Sequence, residues 1–333
     1  MAAAATLGAS MSLIRVGACL ALAILLSAAT SADERRFALI VCGAAGGPDY
    51  ATQYDRWGTD VTKTLIENLK FDPTFVTLLS DSKSTEKAST AENVRRVIGA
   101  IGTRMTREDV LFVLLIGHGT FDGTDAKFNL VGPDLESAEW SALFKGVPGH
   151  VVIVNTSSAS FPFLERLSAP GRIVITSTDS PAQRYDTVFA GYFIRALVDP
   201  SADLDKNDRV SIWEAFASAS AGVRRYYQQR GQLSTEHALL DDNGDGIGNE
   251  VTTPGDDGSL AARTYLDETL PGSLPTDEVL LKLLQRKSTI EAELEDLKIR
   301  RQFLTRPEYA KEFERLMIEL SQVSHDIRAR TKS

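Results

Sequence analysis

Two stretches of the chain place side chains that could open an acyl bond. DVLFVLLIGHG (109–119) runs a long apolar segment into Gly117, His118 and Gly119, and VVIVNTSSASF (151–161) runs another into Asn155, Thr156, Ser157, Ser158 and Ser160. Imidazole is the usual general base near neutral pH, and a serine hydroxyl becomes a nucleophile only when such a base takes its proton. A hydrolytic reading therefore makes Ser158 the nucleophile and His118 the base, with backbone N–H groups near Gly119 as the oxyanion hole. The same serine has other candidate partners, since Asp179 and His237 follow it in Ser, Asp, His order. TSSAS would then be a loose nucleophile elbow, without the glycines such elbows usually carry. A third possibility needs no chemistry: Ser157, Ser158 and Ser160 cap the next helix, with Pro162 in its first turn.

A second kind of chemistry lies further on. DLDKNDRVSIWE (203–214) puts Asp203, Asp205, Asn207, Arg209, Ser211 and Glu214 at places 1, 3, 5, 7, 9 and 12, the oxygen-ligand spacing of an EF-hand Ca²⁺ loop. The seventh place uses a backbone carbonyl, so Arg209 is no obstacle. Asp208 holds the sixth place, where glycine normally makes the turn, and Asp tolerates left-handed backbone better than most residues. DDNGDG repeats the start of the pattern with Asp241, Asn243 and Asp245, but its twelfth place is Thr252. Structural Ca²⁺ is the expected cofactor, set against a plain solvated acidic turn.

The elements that must hold these residues alternate. RFALIVCG (36–43), TFVTLLS (74–80), 109–119, VVIVNTS (151–157) and RIVITST (172–178) read as buried strands, with helical stretches at about 52–69, 89–103 and 187–198. Ser89 and Glu92 form an expected capping box. Alternation of this kind predicts an α/β layer fold with a mainly parallel sheet, in which working residues collect at the carboxyl edge. His118 and the serines share a crevice only if their two strands are neighbours.

An apolar strand ending in His-Gly, followed by a second apolar strand ending in small residues and a nucleophile, resembles the caspase and legumain-like cysteine peptidases. The resemblance covers roughly residues 36–200 and rests on LFVLLIGHG and VVIVNTSSAS. It implies a caspase-like three-layer α/β fold with a mainly parallel sheet and a peptide or protein ligand. Matched to that family's acidic-Ala-Cys-x-Ser-Gly motif, Thr156 takes the acidic place, Ser157 the Ala, Ser158 the Cys and Ser160 the Ser, while Phe161 replaces the Gly; a frame shifted by one puts Ser157 at the nucleophile. A thiol with a pKa near ~8.5 needs modest activation, whereas a hydroxyl needs a base in direct contact. The resemblance thus points to a pseudo-peptidase or peptide-binding module, with active hydrolysis by Ser158 and His118, or an esterase of Ser158, Asp179 and His237, as alternatives. Cys42 lies inside a strand and reads as a small core residue.

The whole chain sets the outer limits. Residues 1–32 hold no acidic side chain, a single Arg15 and the run ACLALAILL, as expected of a cleaved secretory signal; Met11 is an alternative start. The expected address is exported, periplasmic or secreted. Cleavage would leave about 300 residues with Cys42 alone, hence no internal disulfide. The net charge of −9 makes nucleic acid and anionic membrane poor partners. Domains are expected at 33–250, a Pro- and Gly-rich linker at 251–276, and an antiparallel helical hairpin at 277–333. The hairpin's Tyr309, Phe313, Leu316, Leu320, Val323 and Ile327 make a coiled-coil seam, matched more weakly by Leu283, Ile290, Leu294, Leu297 and Leu304, and offer a route to self-association.

Overall fold

The computed structural model describes residues 34–81, 84–253, 255–267 and 278–331. The expected signal segment, 1–32, lies outside the described residues, as do residues 268–277 of the expected linker. β1 (Arg36–Cys42), β2 (Val76–Leu79), β3 (Val110–Ile116), β7 (His150–Asn155) and β8 (Arg172–Thr176) are parallel, and β9 (Leu239–Asp241) closes one edge antiparallel, in the order β2-β1-β3-β7-β8-β9. A separate small antiparallel sheet comes from β4 (Gly119–Phe121), β5 (Ala126–Phe128) and β6 (Leu135–Glu136). The register of β3 on β7 pairs Val110 with His150 and Leu115 with Asn155, so both strands end at the same rim.

Successive strand residues point to opposite faces, and both faces are apolar. Ala38, Ile40, Phe112, Leu114, Val152 and Val154 pack under one helical layer: α1 (Pro48–Lys63), α5 (Phe189–Ala196) and α6 (Ile212–Gln229). Phe37, Leu39, Leu111, Val113, Val151 and Ile153 pack under the other: α2 (Ala91–Arg104), α3 (Ser137–Phe144) and α4 (Phe161–Leu167). The result is a three-layer α/β fold. Its last helices, α7 (Glu278–Arg300) and α8 (Arg306–Thr331), form the expected hairpin, with Thr305 and Glu308 exchanging capping bonds.

That hairpin is docked. Leu280, Leu281, Leu284, Ile290, Leu294, Leu316, Val323 and Ile327 belong to the same buried cluster as α5 and α6, and Lys287 Nζ donates to the Leu204 carbonyl. The segment read as linker is also packed where it is described: Leu266 and Ala261 are buried, Ser211 bridges Tyr265, and Arg36 donates to the Leu266 carbonyl. Its glycines and acids serve local turns here. The start of α2 shifts by one residue: Thr90, not Ser89, accepts the N-cap bond from Asn93. Ser89 is instead tied by its backbone to Ser80 and Val131.

Candidate functional site

Adjacent parallel strands deliver His118 and the serines to one rim, yet the two groups do not engage each other. His118 Nε2 donates to the Ala45 carbonyl at 3.2 Å, and Nδ1 lies 3.4 Å from Asp186 Oδ1. Tyr50 packs edge-on against the imidazole at 4.6 Å between centroids and Tyr54 at 5.6 Å. The Tyr50 hydroxyl also donates to Asp186 Oδ2, and that carboxylate holds the Tyr50 phenol above its ordinary range. Nε2 is thereby spent on Ala45, Nδ1 faces the Asp186 carboxylate, and neither nitrogen bonds a serine.

Ser158 is committed as fully. Its Oγ donates to the Gly119 carbonyl at 3.0 Å and accepts from the Gly119 N–H at 3.2 Å, and the residue is 4 % exposed. The N–H expected to stabilise an oxyanion is therefore spent on the hydroxyl oxygen. Ser157 Oγ donates to Asn155 Oδ1 at 2.7 Å, and Ser160 Oγ bonds Ser177 and Thr178 hydroxyls; both residues are wholly buried. None of the three caps α4. Ser160 occupies the cap position without a capping bond from its side chain, and Thr178 Oγ1 accepts from the Phe161 N–H. The turn is instead held by position: Ala159 takes a left-handed φ of 49°, its N–H bonded to the Gln183 carbonyl.

The alternative triad does not assemble. Asp179 and His237 do come together, joined by Glu250, with their ligand atoms within 4.8 Å of one another. The His237 partners are Glu250 at 3.6 Å and the Ser234 carbonyl at 3.3 Å, and Ser158 is not among them. Cys42 faces the α1 layer, its thiol donating to the Tyr54 carbonyl and pushed up to about 12 by burial, chiefly desolvation.

The acidic loops share one backbone design. In each, the carboxylate at place 1 accepts from the N–H groups of places 4 and 6: Asp203 from Lys206 and Asp208, Asp241 from Gly244 and Gly246. Place 3 accepts from the place 5 N–H and place 5 from the place 7 N–H, through Asp205 and Asn207 in one loop and Asn243 and Asp245 in the other. Left-handed φ values recur at places 4 and 6, being 63° and 65° for Lys206 and Asp208, and 85° and 80° for Gly244 and Gly246.

The loops differ in what they gather. Asp203, Asp205 and Glu214 are all buried, with carboxylate oxygens within 4.8 Å of one another. Burial, then the Glu214 charge and the contact with Asp203, raises Asp205 to about 7; burial raises Glu214 as well, against bonds from Ser211, Leu204 and Asp205. Ser211 Oγ sits in a capping box with Glu214, and Arg209 turns away to pair with Asp267 over the Tyr265 ring, as a place that lends only its carbonyl allows. In the second loop Asp241 is buried against Ser168, while Asn243 and Asp245 are exposed and no further carboxylate converges on them among the described residues.

Asp186, Tyr50 and Ala45, the partners that hold His118, were invisible to spacing because they come from a loop and a helix far apart in the chain. No family model matches this sequence, and no curated protein matches it. Among solved structures, the crystal structure of protein GSU0716 from Geobacter sulfurreducens aligns over 72% of this chain and 99% of that one, at 14% identity and a TM-score of 0.44.

Proposed function

We propose that the protein is an exported, caspase/legumain-like scaffold without peptidase chemistry, a pseudo-peptidase that binds a peptide or protein ligand at the carboxyl rim of its sheet. One observation carries this: the Ser158 proton rests on the Gly119 carbonyl, while His118 donates from Nε2 to the Ala45 carbonyl and turns Nδ1 to Asp186, so that no serine bonds the imidazole. A serine without a base in contact is too weak a nucleophile for an amide. The rim still offers recognition groups, because Asp186 is exposed and His118 and Tyr50 are half-buried beside it. Incubation with a diverse peptide library, followed by mass spectrometry of bound and free fractions, should recover retained peptides uncut. Cleavage products that disappear in Ser158→Ala would overturn the proposal.

We further propose that Asp203, Asp205 and Glu214 hold a structural Ca²⁺, with Asn207 and the Arg209 carbonyl completing the oxygen set. Three carboxylates withdrawn from water within one contact distance repel each other, and a divalent cation relieves that cost. The second loop, with Asp241, Asn243 and Asp245, has the backbone but lacks the charge, and takes the ion weakly if at all. Extracellular Ca²⁺ modules bind at roughly 10⁻⁴ to 10⁻³ M. Calorimetric titration of metal-stripped protein should give one saturable event in or below that range, lost in Asp205→Asn. A silent titration would remove the ion from the account.

A further inference from the structure

Arg224, on α6, is a half-buried cation that makes no hydrogen bond or ion pair among the described residues. Other half-buried guanidinium groups are provided for: Arg36 meets the Leu69 and Leu266 carbonyls, Arg172 those of Leu167 and Phe144, and Arg209 the Asp267 carboxylate. Arg224 instead opens into a cavity of about 310 Å³ between α6, the segment before β9 and residues 250–252. The same guanidinium also borders a neighbouring cavity of about 580 Å³ between α6 and α7, and Gln228 and Thr252 line both. Withdrawal from water lowers the proton affinity of Arg224, and the charge of Glu250, which lines the same cavity, opposes that lowering.

We infer that this cavity is a binding site for a carboxylate attached to an apolar body, with Arg224 as its counter-ion. Guanidinium presents paired N–H groups in the geometry of a carboxylate, and desolvation strengthens such a pair. Ser220 and Gln228, one helical turn to either side on α6, add polar groups, while Phe189, Val223 and Leu233 supply the apolar wall. Leu233 is 91 % exposed on the rim, where it can cover an apolar ligand. Two acidic residues share this wall, and the charge of Glu250 acts on Arg224. Glu236 accepts from the Val188 and Phe189 N–H groups and the Tyr227 hydroxyl, and Glu250 lies against His237. An alkyl carboxylic acid and the C-terminus of a peptide ending in an apolar residue share this chemistry.

The site does not depend on whether Ser158 is silent, so failure here leaves the pseudo-peptidase proposal standing. The test is calorimetric titration of the purified protein with octanoate, with N-acetyl-Ala-Ala-Leu and with the C-terminal amide of that peptide. At least one acid is expected to bind at millimolar concentration or better, with Arg224→Gln weakening it tenfold or more. Octanoate alone binding identifies a free acid as the ligand. Binding of the peptide acid, with its amide at least tenfold weaker, identifies a peptide C-terminus. No binding by either acid, equal binding by peptide acid and amide without octanoate binding, or undiminished binding by a folded Arg224→Gln overturns the inference. If Arg224→Gln does not fold, the titrations of the unaltered protein decide it.

Discussion

Metal-stripped protein is expected to lose stability as pH rises from about 4 to about 8, and added Ca²⁺ is expected to restore it. Asp205 binds its proton more tightly folded, at about 7, than unfolded, near ~3.9, because it is buried beside Glu214 and Asp203. Such a group stabilises the fold fully below the unfolded value, and the contribution is lost as pH climbs through the folded one. The loss is on the order of 4 kcal/mol, shared between Asp205 and Glu214, which is raised in the same direction and titrates together with it. Asp257, raised to about 6 by burial, contributes the same sign outside the loop. Ca²⁺ at a hundred times its dissociation constant contributes ~2.7 kcal/mol, which for a chain of this size raises Tm by roughly 4 °C. Asp205→Asn should flatten the pH profile and abolish the Ca²⁺ response together. Thermal melts across pH 4–8, with chelator and with Ca²⁺, measure both; a Tm indifferent to Ca²⁺ at pH 8 would refute the loop as a metal site.

Gly119→Ala is expected to be among the most damaging single substitutions in the sheet's rim. A Cβ there would lie 2.2 Å from the Ser158 carbonyl oxygen and 2.8 Å from Ser157 Oγ, and backbone cannot swing aside as a flexible side chain would. Relief requires β4 to part from the turn after β7, which breaks both bonds between Ser158 and Gly119. The cost should be about 3 kcal/mol or more, read as a lowered urea midpoint. Gly99→Ala is the control: its Cβ meets nothing within 4 Å inside α2, so the helix should gain about 0.5–1 kcal/mol. Equal midpoints for the two variants would mean the contact is not tight in solution.

Much of the architecture was legible because burial writes itself into sequence. The runs 36–43, 109–119 and 151–157 are apolar on both faces, and each lies in the sheet's interior; RIVITST does likewise. Strand adjacency was not legible: nothing in 110–155 tells that β3 and β7 pair, since α3 and the small sheet intervene. The site was half legible for the same reason. His118 and Ser158 announce themselves by type, but what each touches depends on Ala45, Asp186 and Gly119, whose contributions are backbone carbonyls and a loop carboxylate. The first acidic loop was legible nearly whole, because its bonds are local and each acceptor is fixed by its place along the chain. Arg224 gave no signal, since an arginine one residue before another on a helix looks like solvated surface.

The central claim is that imidazole and hydroxyl share a rim without sharing a proton. Intact-mass spectrometry after treatment with a fluorophosphonate reports on it directly, since that reagent bonds only to a serine whose proton a base can remove. The protein should keep its unmodified mass under conditions that label an active serine hydrolase to completion. A stoichiometric adduct on Ser158, absent in His118→Ala, would contradict the account.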